Sequence, residues 1–159
     1  MTSLETDIAH MLAGSMVLVS FLLLYQDRMF ALLNIFALHA WVLAFSVAWQ
    51  AFLQHAPHLF ITALIALAFK GVFIPVALHR IVVRLGIHRS IDSVVSVGPT
   101  MLFGMALVAL SIVVMLPVTE AAGAFVREDL AFALSIVLLG LLMMVTRRNA
   151  VGQVIGFMS

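Results

Sequence analysis

Residues 61–78 read ITALIALAFKGVFIPVAL, an apolar run that contains one ionisable side chain, Lys70. A helix needs about 20 apolar residues to cross the hydrocarbon core of a bilayer, and this run with its flanks supplies them. A cation at its middle lies near the bilayer centre, where burial costs several kcal/mol. Charges at that depth usually face a water path, a counter-ion or a partner subunit. The run therefore predicts a membrane helix and raises the question of what Lys70 contacts.

The composition of the whole chain supports the same fold class. Hydrophobic residues make up 65% of the 159 residues and charged residues 9%, against roughly 25% charged in a soluble domain. The alternating strands of a membrane β-barrel are not seen, so we predict an all-α, polytopic transmembrane helix bundle. The absence of cysteine excludes disulfides and thiolate metal sites. With a net charge of +1, no nucleic-acid partner is expected beside the lipid bilayer.

The hydrophobic pattern divides residues 1–159, a single transmembrane domain, into five full spans and the start of a sixth. The predicted full spans are Leu4–Tyr25, Met29–Gln54, Leu59–Arg80, Ser93–Leu116 and Leu130–Val145. The sixth apolar stretch, Ala150–Ser159, has ten residues, which reach ~15 Å as a helix and cannot cross alone. We therefore expect the natural chain to continue past Ser159.

The distribution of arginine predicts how the chain is oriented. Six arginines fall in the first, third and fifth connections and one, Arg127, falls on the opposite side. Because basic residues concentrate in cytoplasmic loops, the N-terminus is expected outside and the arginine-bearing loops inside. Arg147 and Arg148, which end the fifth span, are predicted to be cytoplasmic anchors.

Lys70 and His39 are the candidates for a proton path. They lie at similar depth on neighbouring antiparallel spans, and Asn34 lies about one turn from His39. The seven carboxylates all fall near span ends, so no carboxylate of these 159 residues reaches the middle of the membrane. Three roles for Lys70 stay open: snorkelling to a headgroup, docking to a partner's carboxylate, and proton relay.

Two further features concern helix geometry. Pro75 has no backbone donor, so the carbonyl of Gly71 loses its helical partner, which predicts a kink one turn after Lys70. Gly152 and Gly156 form a small-xxx-small pair typical of close helix packing.

No catalytic or metal-binding constellation accompanies these residues. His55 and His58 have metal-ligand spacing, but Pro57 places them in an exposed turn. Haem ligation would require a second histidine at the depth of His39, and the sequence offers none. No nucleophile–base pair or nucleotide-binding motif is present. We therefore predict no bound metal or cofactor and no autonomous enzyme activity.

Two stretches carry a resemblance to known families. The segment LSIVLLGLLMMVTRRNAVGQVIGF resembles the first hairpin of the small K-type subunit of respiratory complex I, with a glycine-bearing helix, a two-arginine turn and an Ile-Gly helix start. The span with a central lysine followed by Ile-Pro, AFKGVFIPVALHR, resembles that of hydrogenase-4 component E. The second family also places extra helices before a K-like part, which would here be residues 130–159 with an incomplete C-terminus.

The resemblance implies a membrane-arm subunit of a group 4 nickel–iron hydrogenase or a formate hydrogenlyase-like complex in a bacterial or archaeal cytoplasmic membrane. Partners would be other membrane-arm subunits, including antiporter-like ones, and the nickel–iron centre and iron–sulfur clusters would belong to partner subunits. The implied role is arm assembly with part of the proton path. In the family, the helix after the two-arginine turn continues to a buried glutamate, and this sequence contains none after Arg148.

Two other functions remain as alternatives. One is a pure structural scaffold, in which Lys70 only anchors a neighbour's carboxylate. The other is a small oligomeric transporter with a binding site at His39, Lys70 and the Pro75 kink, because interrupted helices near the midplane are a common transporter device.

Overall fold

The chain folds into helices joined by short connections. The structure, a computed structural model, describes residues 3–86, 93–118 and 124–159. Its elements are α1 (Ser3–Tyr25), α2 (Met29–Leu53), α3 (Pro57–Ala66), a π-helical segment (Leu67–Phe73), α4 (Ile74–Arg84), α5 (Val97–Val118), α6 (Ala124–Thr146) and α7 (Ala150–Met158). Arg89, Asp92 and Glu120, which contributed to the charge pattern, lie outside the described residues.

Five helical stretches are long and apolar enough to cross a membrane. They are Leu4–Tyr25, Met29–Leu53, Pro57–Arg84, Val97–Val118 and Val126–Thr146. The third combines α3, the π-helical segment and α4, and α7 has only nine residues. The predicted all-α bundle with five full spans is therefore confirmed, and the chain is a multi-pass membrane protein.

The helix ends differ from the predicted span ends. The third span begins at Pro57, two residues before the predicted start, because proline suits the first turn of a helix, where its missing donor has no partner to lose. The fifth begins at Ala124, within the predicted loop. Its charged first turns continue the helix beyond the apolar run, and the Glu128 carboxylate there lies 3.1 Å from His10 Nδ1 of α1.

The bundle is arranged around α1 and α2. Helix α1 packs against α2, α5 and α6, while α2 packs against the third span and α6 against α7. The largest fully buried side chains come mainly from α1, α2, α6 and α7: Leu23, Met29, Leu32, Phe36, Leu139, Met143 and Ile155. The core therefore lies between these four helices, and the third span flanks it.

Helices α6 and α7 approach each other closely at two glycines. A Cβ added to Gly140 would lie 2.7 Å from the Gly156 carbonyl oxygen, and a Cβ added to Gly156 would lie 2.8 Å from the Met144 nitrogen. Membrane helices use small residues in this way because backbone contact replaces the hydrophobic driving force that lipid removes. Gly156, one of the two predicted packing glycines, thus faces Gly140 of the neighbouring helix.

We expect Gly140→Ala to lower the free energy of unfolding by about 1–3 kcal/mol, because the added methyl group overlaps backbone atoms that cannot move independently. The measurement is equilibrium unfolding in mixed detergent micelles. Gly14→Ala is the matched control, because an added Cβ there meets nothing within 4 Å. Equal stability of the two variants would contradict the close approach of α6 and α7.

Candidate functional site

Lys70 lies on the π-helical segment in the middle of the third span. The segment covers seven residues, and just after it the Ile74 N–H donates to the Phe69 carbonyl five residues earlier. In this five-residue register, the position of the Pro75 nitrogen corresponds to the Lys70 carbonyl. The carbonyl that lacks a backbone donor because of Pro75 is therefore that of Lys70, whereas the prediction named Gly71. The irregularity before Pro75 is a widened turn within a continuous helical stretch, and such turns are frequent at functional sites.

The ammonium group of Lys70 points towards other helices of the bundle. Its Nζ donates to the Ser159 carbonyl oxygen at 3.1 Å and lies 5.9 Å from the centroid of the Phe36 ring. Both ends of the span lie roughly 20 Å away at 1.5 Å per residue, farther than a lysine side chain reaches. Lys70 therefore does not snorkel: its contacts here are a backbone carbonyl and an aromatic face.

His39 is completely buried on α2. Its Nε2 lies 3.2 Å from the Ser20 hydroxyl of α1, and the Ser20 hydroxyl in turn donates to the Met16 carbonyl oxygen at 2.9 Å. The other ring nitrogen, Nδ1, is buried and has no hydrogen-bond partner. A bare buried ring nitrogen is unusual, because most buried polar atoms are paired.

Lys70 and His39 belong to one site. Phe36, which the Lys70 ammonium approaches, precedes His39 by one helical turn and shares its face of α2. Gly71 packs on the next residue of that face, since its added Cβ would lie 3.7 Å from the Ala40 Cβ. We call Lys70, His39 and Ser20 the mid-membrane cluster. Asn34 is exposed and is not part of it.

A second site is built around Arg147, in the turn between α6 and α7. This arginine is only 3% exposed, and its Nη2 donates to the carbonyls of Leu24 at 2.8 Å and Leu23 at 3.4 Å. These carbonyls lie in the last turn of α1, where no intrahelical donor reaches them. Arg147 Nη1 lies 3.8 Å from the Asp27 carboxylate. Burial lowers the pKa of the Arg147 guanidinium and Asp27 raises it, and an arginine so placed stays charged.

Neighbouring residues hold the same turn in place. The Asn149 side chain accepts from the Gly152 N–H at 2.6 Å and caps α7, and the Gln153 amide donates to the Arg147 carbonyl at 3.0 Å. A Cβ added to Gly152 would lie 3.1 Å from the Arg147 Cβ, so Gly152 belongs to this turn and not to the contact with α6 that Gly156 makes. The two predicted anchors therefore differ in environment. Arg148 is exposed, whereas Arg147 is buried and its hydrogen bonds connect the turn to α1.

Metal ligation finds no support in the part of the chain that the structure describes. No group of three or more potential ligands among histidine, cysteine, aspartate and glutamate occurs there. His55 and His58 are exposed near the start of the third span, and the His79 ring contacts the Phe30 ring in a tilted arrangement with centroids 5.1 Å apart. The mid-membrane cluster offers side chains that can transfer a proton or dock a charge.

No family model, curated protein or solved structure matches this chain. The function must therefore be argued from the two sites themselves and from the sequence resemblance.

Several residues of these sites could not be selected from the sequence. Ser20, Phe36 and Gly140 look like ordinary members of apolar helices, and only their packing partners distinguish them. The same holds for Ser111 of α5 and Ser135 of α6, whose buried hydroxyls bond to each other across the two helices. For the three serines, the sequence gives one indication of their role: a small polar residue inside a membrane helix usually faces another helix.

Replacing Arg147 by glutamine should lower the free energy of unfolding by about 2–3 kcal/mol, the usual value of a charge-assisted buried hydrogen bond. The variant leaves the last carbonyls of α1 without their donor. Arg148→Gln is the control, since it removes the same charge from the adjacent exposed position. Unfolding midpoints of purified protein in detergent compare the two. Similar losses in both variants would mean that the turn needs positive charge only.

Proposed function

We propose that the chain is a non-catalytic integral membrane subunit of a complex I-related, hydrogenase-type redox complex, where it contributes to membrane-arm assembly and to proton translocation. The observation that carries the proposal is the position of Lys70. Its ammonium lies about 20 Å from either end of its span and points to the interior, beside a buried histidine. Ionisable groups so placed are expensive in a membrane and usually serve ion pathways.

The chemistry of the mid-membrane cluster suits proton relay. A lysine gives up its proton more readily when burial removes the water that stabilises the ammonium. Histidine exchanges protons near neutral pH, and both ring nitrogens can take part. Among the described residues no aspartate or glutamate forms an ion pair with Lys70.

An assembly role is the second candidate, and the surface of the bundle favours it. In the most apolar window of the third and of the fourth span, only 11% of the residues are buried. The third span exposes large side chains on both sides of Lys70, including Phe60, Leu64, Phe69 and Phe73. Either lipid or neighbouring membrane subunits can cover such a surface, and a membrane arm would supply the subunits.

The proposal includes a location and an orientation. The chain would lie in a bacterial or archaeal cytoplasmic membrane with its N-terminus outside, because six of the seven arginines fall on one side. The Arg147 turn would then face the cytoplasm. Nickel–iron and iron–sulfur chemistry would belong to partner subunits, with antiporter-like subunits as neighbours in the membrane.

The partners can be tested by purification in mild detergent from native membranes. We expect a tagged chain to bring down a nickel–iron hydrogenase subunit and antiporter-like membrane subunits, identified by mass spectrometry in fixed stoichiometry. An untagged strain controls for contaminants. Recovery of the chain alone, as a homo-oligomer that binds or transports a solute, would overturn the proposal.

Two substitutions separate proton relay from charge docking. Lys70→Met removes the charge, whereas Lys70→Arg keeps a cation that does not deprotonate. If Lys70 relays protons, both variants assemble, and proton translocation per electron falls about tenfold or more in each. If Lys70 only docks a carboxylate, Lys70→Arg behaves like the wild type and Lys70→Met loses assembly. Dye-monitored acidification of vesicles measures translocation, and native gels measure assembly.

An intact Lys70→Met complex with wild-type proton translocation would exclude both roles. Phe69→Leu supplies a matched control, because Phe69 neighbours Lys70 in sequence but is exposed on the outer surface of the same span.

A further inference from the structure

We infer that Ser20 holds His39 in the tautomer protonated at Nε2, and that Nδ1 of His39 is the atom that accepts a proton from Lys70. The inference rests on the proposed function for the transfer itself, while the tautomer stands on the geometry of the buried side chains alone. Ser20 is then a positioning residue of the proton path: it does not carry the proton but decides which nitrogen is free to take it.

The first argument is the hydrogen-bond account of Ser20. A serine hydroxyl has one hydrogen to donate and two lone pairs that accept. The Met16 carbonyl oxygen lies 2.9 Å from the hydroxyl, whereas His39 Nε2 lies 3.2 Å from it, so the hydrogen belongs on the shorter contact. The hydroxyl then meets His39 with a lone pair, and Nε2 must supply the hydrogen.

The second argument is the environment of Nδ1. It is buried on a side chain with no solvent exposure, and it has no hydrogen-bond partner. In the opposite tautomer Nδ1 would carry a hydrogen, and a buried N–H without an acceptor is rarer in proteins than a buried acceptor without a donor. Hydrogen-bond accounting therefore favours a bare lone pair at Nδ1.

The third argument is the position of Lys70, the donor in the proposed function. Its Nζ has three N–H donors and no acceptor, and one donor goes to the Ser159 carbonyl oxygen. Nζ lies 5.9 Å from the centroid of the Phe36 ring, and Phe36 precedes His39 by one turn on the same face of α2. A neutral ring that keeps its hydrogen at Nε2 offers a donor only the lone pair of Nδ1.

The transfer is balanced as follows. The N–H bond breaks at Lys70 Nζ and its electron pair stays on the nitrogen, which leaves a neutral amine. A new N–H bond forms at His39 Nδ1, using the ring lone pair, and the imidazole becomes an imidazolium. Nε2 keeps its hydrogen and its bond to Ser20 throughout. A water between the two nitrogens would relay the proton without changing this balance.

The tautomer can be read directly by nitrogen NMR. The full chain, labelled with ¹⁵N-histidine and reconstituted in lipid nanodiscs, should show for His39 an unprotonated Nδ1 and a protonated Nε2. The His39 signals are those that His39→Gln removes. They are identified independently as histidine signals that a water-soluble relaxation agent does not broaden, because the ring is buried. A protonated Nδ1 in the neutral ring of the wild-type chain would overturn the inference.

Two serine variants test whether Ser20 sets the tautomer. Ser20→Ala removes the lone pair that faces Nε2, so the ratio of the two tautomers should shift about fivefold towards Nδ1–H, the equilibrium factor of one typical hydrogen bond. Ser20→Thr keeps the hydroxyl and should restore the wild-type ratio. An unchanged ratio in Ser20→Ala would remove Ser20 from the path. Neither result depends on which complex the chain joins, so failure here is distinct from failure of the proposed function.

Discussion

A bilayer offers no water to an unpaired amide or carbonyl, and this constraint shapes every level of the structure. It requires that backbone groups are satisfied within each segment, which is why the apolar runs form helices. It also explains the small polar side chains in these helices, most of which donate to a carbonyl three or four residues earlier in their own helix. Ser15, Ser20, Thr100, Ser111, Ser135 and Thr146 all do so. Polar groups that cannot be satisfied locally are turned towards another helix.

The Arg147 turn and the mid-membrane cluster satisfy their buried polar groups in different ways. Arg147 lies just beyond α6, and its buried guanidinium donates to the free carbonyls at the end of α1. Its hydrogen bonds tie the α6–α7 turn to α1, and the pair of glycines holds the same hairpin deeper in the membrane. Lys70 lies in the middle of its span and forms no ion pair with an aspartate or glutamate of the described chain; its contacts are the backbone oxygen of Ser159 at the end of α7 and the Phe36 ring, one turn from the buried His39. The first arrangement is structural: Nη2 bonds two carbonyls of α1, while Nη1 lies near Asp27 without a hydrogen bond. In the second, His39 Nδ1 is buried and has no hydrogen-bond partner.

The sequence anticipated the spans better than the site. Apolar runs of the right length predicted five crossing helices. Several predicted ends were wrong by one to six residues: a proline and a charged first turn extend the third and fifth spans at their starts, the third span continues to Arg84, and the fourth begins at Val97. The depth of Lys70 and His39 also followed from counting residues along each span. Ser20 was not anticipated, since nothing in the spacing of α1 and α2 shows that their faces meet there. Arg147 and Arg148 were predicted as equivalent anchors, and two adjacent arginines in a turn give no indication of which one points inward.

The sequence by itself determined the number of spans, the side on which the arginines collect and the depth of the one central cation, because hydrophobic length and charge position are one-dimensional properties. The tertiary structure alone decided which faces meet: Lys70 with Phe36, His39 with Ser20, and Gly140 with Gly156. The physical reason is that a membrane helix is apolar on all sides, so its hydropathy carries little information about its rotation. Rotation is set by close packing and by the few hydrogen bonds between helices, and these exist only once the helices are assembled.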